Sequence, residues 1–227
     1  MIDFTPLENP VWSSLTSAHR SLARIHGLAA RYPSDISPLS GLQEFTPAAF
    51  DDLRALTEPH EIIGLVTAEP VGVPADWEIV LSRMIDQMVC EDLKPSSSIA
   101  PLLLSDADVP DMLALTAETQ PGPFAARTIR MGKYIGVRSG GGQLMAMAGQ
   151  RLSLDGFREI SAVCTSPAHQ GKGYAGRLMS LLAREIAAEG KMPFLHVKTE
   201  NAFAKALYAK LGFRLRRAMH FNVIRPR

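Results

Sequence analysis

The seven residues Gln170-Gly171-Lys172-Gly173-Tyr174-Ala175-Gly176 constrain the fold more than any other stretch of this chain. They join a strand-like run, Glu159 to Thr165, to an amphipathic run from Gly173 to Glu189 that Gly190 closes. At such a junction successive backbone N–H groups and the positive end of a helix dipole converge, and a phosphate can be cradled there. Glycine suits the position because a Cβ would hold the anion away from the main chain. Gly171, Gly173 and Gly176 also satisfy the dinucleotide spacing G-x-G-x-x-G. However, five residues, Ser166 to Gln170, separate the strand end from the first glycine, and the 51 residues after Gly176 leave no room for the remaining βαβ units. A nucleotide P-loop also fails, because Lys172 is followed by glycine rather than Ser or Thr. The remaining alternative is a glycine-rich turn that binds nothing.

Around this segment the sequence reads as α/β. Ile99 to Leu104 is strand-like, Ser105 or Asp106 caps a helix carrying Val109, Met112 and Leu115, and a Pro-Gly-Pro loop follows at 121 to 123. Tyr134 to Arg138 and Leu144 to Leu154 form a hairpin about Gly140 to Gly142, and Asp155-Gly156 turns into the next strand. Phe194 to Lys198 is a strand, Ala202 to Leu211 a helix ended by Gly212, and Phe213 to Ile224 the final strand. The first 97 residues read as helix-rich. A helical pattern runs from Val11 to Arg31, and a second helix starts at Thr46-Pro47; strand-like stretches follow at Glu61 to Ala68 and Trp77 to Leu81, then a short apolar segment, Met84 to Val89. Lys94 to Ser98 is the linker candidate, which divides the chain into an accessory region, 1–97, and a main domain, 98–227.

Composition narrows the partners. Twenty-four Lys and Arg against 23 Asp and Glu leave a net charge of +1, too small a field to favour nucleic acid or an anionic membrane, so a small soluble ligand is expected. Cys90 and Cys164 lie far apart without CxxC spacing, and no HxH or HExxH occurs, so neither disulfide framework nor metal is expected. No basic leader or long apolar run is present, which makes cytoplasm the expected location.

Two motifs in order carry a family resemblance. Gln170, Gly173 and Ala175 fit Q/R-x-x-G-x-G/A, and Asn201, Ala204, Leu207, Tyr208, Leu211, Gly212 and Phe213 fit N-x-x-A-x-x-L-Y-x-x-L-G-F about thirty residues on. Over residues 99 to 227 the chain resembles the GNAT superfamily of acetyl-CoA-dependent N-acetyltransferases; the string PGPF and the long N-terminal extension look closest to its glycine-N-acyltransferase-like branch. The resemblance implies a mixed, mostly antiparallel sheet with helices on both faces and direct transfer of acetyl to a primary amine of a small molecule or amino acid. A protein or peptide amine and a non-catalytic acetyl-CoA-binding regulator are the alternatives.

The same resemblance assigns roles. Val163, Cys164 and Thr165 would present free main chain to the pantetheine arm, and Gln170, Gly171, Lys172, Gly173, Tyr174, Ala175, Gly176 and Asn201 would complete the coenzyme site. Tyr208 would protonate the departing thiolate. An amine with a pKa of about 10 needs a base. Glu159 is one candidate, set by strand alternation on the same face as Ser161, Val163 and Thr165; the other is His196, five residues before Asn201. Helical periodicity turns Phe203, Leu207 and Leu211 to the core. Phe124, in the PGPF loop, is the candidate acceptor-site residue. Residues 1–97 are either a degenerate half-domain completing that pocket or an element that makes a homodimer.

Overall fold

The computed structural model describes residues 2–95 and 99–227; Ser96 to Ser98, part of the expected linker, lie outside the described residues. Five strands and two helices come first: α1 (Pro10–Thr16), β1 (Arg24–His26), β2 (Ala29–Arg31), β3 (Leu39–Leu42), α2 (Pro47–Ala55), β4 (Ile63–Thr67) and β5 (Trp77–Cys90). Then follow β6 (Leu102–Leu103), α3 (Val109–Thr119), β7 (Tyr134–Arg138), β8 (Leu144–Leu154), β9 (Phe157–Thr165), α4 (Tyr174–Ala188), β10 (Met192–Lys198), α5 (Ala202–Lys210) and β11 (Phe213–Pro226). No helix among the described residues is long and apolar enough to cross a membrane.

These eleven strands form one sheet, in the order β1-β2-β3-β4-β11-β5-β10-β9-β8-β7-β6, and among them only the β3–β4 and β9–β10 pairs are parallel. Helices cover both faces. On one, α4 supplies Leu178, Leu182 and Ile186 to a core with Met88, Ala148, Ile160 and Leu195. On the other, α1 supplies Val11 and Leu15 to a core with Ile85, Val89, Leu152 and Phe194, and α3 packs Met112 and Leu115 on Met147 and Cys164. Alternation along β5 explains the division, since Met88 and Val89 must face opposite sides.

The N-terminal region departs from the helix-rich reading. The pattern from Val11 to Arg31 yields only the two turns of α1, and the chain then forms the β1–β2 hairpin about Gly27, whose φ is +48°. Three-residue strands are too short to display a period of two, so their apolar residues mimic helical spacing. Trp77 to Leu81 and Met84 to Val89 are one strand, β5, bonded to β11 along its whole length. The strand expected over Ile99 to Leu104 is reduced to Leu102–Leu103. The start of α2 is as expected, with the Thr46 hydroxyl accepting from the Ala49 N–H.

A buried polar junction ties α1 to the sheet. Ser14 Oγ bonds Tyr32 Oη (2.9 Å) and donates to the Ser153 carbonyl (2.9 Å), and His19 Nδ1 lies 2.9 Å from Tyr32 Oη. Burial pushes the His19 imidazole down to about 4. A folded pKa below the unfolded one means that the unfolded chain binds the proton first. The contribution of His19 is therefore complete above about pH 6.5 and falls by roughly 1.4 kcal/mol per unit as the pH drops towards 4. Urea titrations across that range should show this slope in the wild type and lose most of it in His19→Gln.

Candidate active site

The site begins where two parallel strands part. β9 and β10 pair only at Phe157–Met192, Arg158–Pro193 and Glu159–Phe194; beyond that point Ile160 to Thr165 and Leu195 to Lys198 diverge. The wedge exposes main chain that an ordinary sheet would consume. A cleft of about 1180 Å³ runs through it, lined at one end by Thr165, Gly171, Gly173 and Asn201 and at the other by Leu39, Val66, Phe124 and Phe221. That is ample for an extended thioester arm plus a small acceptor.

The cradle is built as the glycine spacing requires. Gly171 and Gly173 have φ of +76° and +73°, and a Cβ on Gly171 would meet nothing within 4 Å, so conformation rather than crowding demands glycine there. Gly173 is the N-cap of α4 and no side chain caps the helix, which leaves its first N–H groups available to an anion. Arg177 braces the loop by donating from Nε to the Gly173 carbonyl (3.2 Å) and from Nη2 to the Lys172 carbonyl. Gly176 serves packing instead, since a Cβ would lie 3.2 Å from Leu207 Cδ1 and its absence lets α5 close on α4. Thr165 Oγ1 is buried on the cleft wall with no protein partner among the described residues. These features fit a pyrophosphate at the helix start and a polar arm along β9. Lys172 is the exception, exposed and off the cleft wall.

Asn201 caps α5 through Oδ1, which accepts from the Ala204 N–H at 3.0 Å, leaving its amide N–H groups free to donate. Tyr208 lines the cleft and packs on Phe213, ring centroids 6.3 Å apart. Burial pushes its phenol up to about 12, so it carries its proton throughout the neutral range. Leu211 is buried as expected, but Phe203 is 86% exposed at the cleft mouth instead of facing the core, because α5 ends in solvent at its N-terminus. Gly212 closes α5 with φ +99°, where a Cβ would stand 2.1 Å from the Asp92 carbonyl oxygen.

The apex of the wedge holds a polar network that sequence spacing does not reveal. Glu159 is fully buried and off the cleft wall; Arg151 donates to it from Nε and Nη2, both at 2.8 Å, and His196 Nδ1 lies 2.8 Å from Oε1. Burial alone would raise this carboxyl, but the Arg151 charge and the hydrogen bonds overcome that and hold it well below the usual carboxylate range. The carboxylate can only accept, so His196 Nδ1 carries hydrogen and Nε2 of the neutral ring is the acceptor. Gln87 fits this tautomer: Arg216 donates to its Oε1 (2.8 Å), so its Nε2 faces the Leu7 carbonyl (3.0 Å) and His196 Nε2 (3.1 Å). His196 and Arg151 reach the cleft wall.

Face alternation in β9 is broken. Ala162 adopts φ +52° at a bulge opposite β8, so Ala162 and Cys164 turn to the α3 side while Val163 packs towards α4. Glu159 and Val163 therefore do not share a face. Burial pushes the Cys164 thiol up to about 11, so almost no thiolate exists near neutrality. Phe124 lines the cleft and meets Tyr134 edge-to-face at 5.6 Å. Among the described residues no cluster of His, Cys, Asp or Glu is arranged to hold a metal.

A putative acetyltransferase of the GNAT family from Novosphingobium aromaticivorans superposes on the whole molecule, with 36% identity over 98% of this chain and 99% of that one and a TM-score of 0.90. The chain belongs to the GNAT family. Residues 134–222 match the family model described as FR47-like protein. The N-alpha-acetyltransferase RimI of Mycobacterium tuberculosis is 40% identical over 85 residues, 35% of this chain; the match spans about half the length of that relative. A GCN5-related N-acetyltransferase from Kribbella flavida shares the GNAT fold at 15% identity, with a TM-score of 0.61 over 94% of this chain and 93% of the other. GNAT proteins are acetyl-CoA-dependent N-acetyltransferases.

Proposed function

We propose that the protein transfers an acetyl group from acetyl-CoA directly to the primary amine of a small molecule or amino acid. The observation that carries this reading is the joined cleft: the anion cradle and main-chain wedge open without interruption onto an apolar end closed by Leu39, Val66, Phe124 and Phe221. Residues 1–97 then act as the half that completes the acceptor pocket, 98–227 as the transfer domain. The apolar closure and the Phe124 loop are also the features that favour the glycine-N-acyltransferase-like branch. A peptide N-terminus is the second reading, favoured by the 40% identity to a RimI segment.

Bound acetyl-CoA would supply a thioester carbonyl and a thiolate leaving group. Gln170, Gly171, Gly173 and the first turn of α4 hold the pyrophosphate, and the main chain of Val163 to Thr165 orients the arm. Among the described residues no Asp or Glu lines the cleft, and His196, backed by Glu159, is the proposed acceptor of the amine proton, at Nε2 and at the expense of its Gln87 contact. Glu159 acts through His196, its buried charge facing the imidazolium that forms. Tyr208 returns a proton to the departing sulfur. The high thiol pKa of Cys164 supports direct transfer over an acyl-cysteine route.

The test is release of free CoA, followed with a thiol reagent, from acetyl-CoA offered with amines, amino acids and peptides. Turnover with small acceptors is expected; turnover with peptides alone would favour the second reading, and none with any acceptor would indicate a regulator. His196→Gln should abolish the acidic limb of the kcat/KM profile, and a profile unchanged in that variant would remove His196 from the mechanism.

A further inference from the structure

Arg83 is the one cation among the described residues on the cleft wall at its apolar end, and the transfer chemistry leaves it without a role. It stands mid-strand on β5, directly opposite Phe221 of β11, which is in turn opposite Val66 of β4, so the three cleft-lining residues form a row across three strands. Nearby cations are satisfied: Arg216 and Arg217 pair with Glu8, Lys205 with Asp86, and Arg151 with Glu159. Arg83, half-buried, makes no hydrogen bond or ion pair among the described residues. Arg83 thus shares the cleft wall with Leu39, Val66, Ile85 and Phe221 and has no anion beside it among the described residues.

The charge of the whole cleft points the same way. Its charged wall residues among those described are Arg83, Lys198 and Arg151, the last neutralised by Glu159 behind it; His169 and His196 also line the wall, and no carboxylate does. Such a wall favours an acceptor that carries an anion over one that carries several cations. Position then sets the size of the ligand. Arg83 and Gln87 lie four residues apart on one face of β5, and Gln87 is paired with His196 on the next strand, so the Arg83 and His196 main chains are separated by about 14 Å. An acceptor lying along the cleft between them can meet Arg83 with one end and His196 with the other.

We propose that Arg83 is a specificity-determining residue that binds the carboxylate of the acceptor, presenting the amine to His196, and that the acceptor is a carboxylate-bearing amine with an apolar body. This rests on the transferase reading above. Arg83 takes no part in proton transfer; its planar fork fixes the acid group through paired N–H donors.

The experiment compares free amino acids with their carboxamides, for example leucine with leucinamide, in wild type, Arg83→Gln and Arg83→Lys. The wild type should prefer the acid; Arg83→Gln should raise KM for the acid roughly 10- to 100-fold, leave the amide and acetyl-CoA constants unchanged, and Arg83→Lys should restore part of the loss. Equal use of acid and amide by the wild type, or a preference that survives Arg83→Gln, overturns the proposal, as does a C-terminally amidated peptide as best acceptor. Where no acceptor turns over, N-acetylleucine and its amide are compared by thermal shift with CoA present, and equal shifts overturn it. Failure of CoA itself to bind in calorimetry overturns the transferase reading instead.

Discussion

Replacing Tyr208 with phenylalanine should lower kcat by roughly 10²- to 10⁴-fold and leave the dissociation constant for acetyl-CoA within about twofold. The two effects separate because the ring and the hydroxyl do different things. The ring packs on Phe213 and helps to close the α5 side of the cleft, and phenylalanine keeps that packing. The hydroxyl, with its proton retained up to about pH 12, is the proposed donor to a leaving sulfur that would otherwise depart as an unprotected thiolate. Because nothing is lost from the pyrophosphate cradle, coenzyme affinity should hold. Steady-state kinetics paired with calorimetry decides the matter: wild-type turnover in the variant would remove Tyr208 from the chemistry, whereas a parallel loss of affinity would make it a binding residue.

The second large effect is on stability. Glu159→Gln should cost about 3–5 kcal/mol, read from urea denaturation, because it leaves the Arg151 guanidinium, only 13% exposed, facing a neutral amide. Arg151→Met should cost a similar amount by stranding the carboxylate. The double variant should recover a good part of either loss, since the penalty lies in the uncompensated charge more than in the missing bond. The pH dependence has a definite sign. Glu159 is held below its unfolded pKa, so its contribution is complete above the ordinary carboxylate range and drains away as the pH falls below it. A single variant that unfolds within about 0.5 kcal/mol of wild type would mean that water reaches the pair.

Much of the second half is legible from residue order. The glycine segment, the helix it opens and the run from Asn201 to Phe213 each announce themselves through positions that only one backbone conformation tolerates, such as Gly173 and Gly212. The hairpin about Asp155-Gly156 carries more information than its turn alone. It sets Leu154 opposite Phe157 and Ser153 opposite Arg158, and one further step brings Leu152 to Glu159. The bulge that adds Arg151 to that position leaves no mark in composition, and neither does the left-handed Ala162 that resets the faces of β9. Arg83 and Gln87 are illegible for another reason. They reach the site through pairing with β10 and β11, strands more than a hundred residues away, and no local pattern records such a partner. The short strands of residues 24 to 42 escape because each is held by its neighbours rather than by its own periodicity.

The shared sheet has a consequence for how such an enzyme can change. The anion cradle belongs to the β9–α4 junction, whereas Leu39, Val66 and Arg83 each precede it by more than eighty residues. Under the proposed assignment, substitutions in that early part retune which molecule is modified while the grip on the donor stays as it was. Gln87 sets the limit: its amide touches both Leu7 and the imidazole, so exchanging the early strands wholesale between relatives would disturb the surroundings of His196, the proposed base, along with selectivity. The same assignment makes new preferences accessible by single steps along the cleft-facing side of β3, β4 and β5, and not by swapping the block entire.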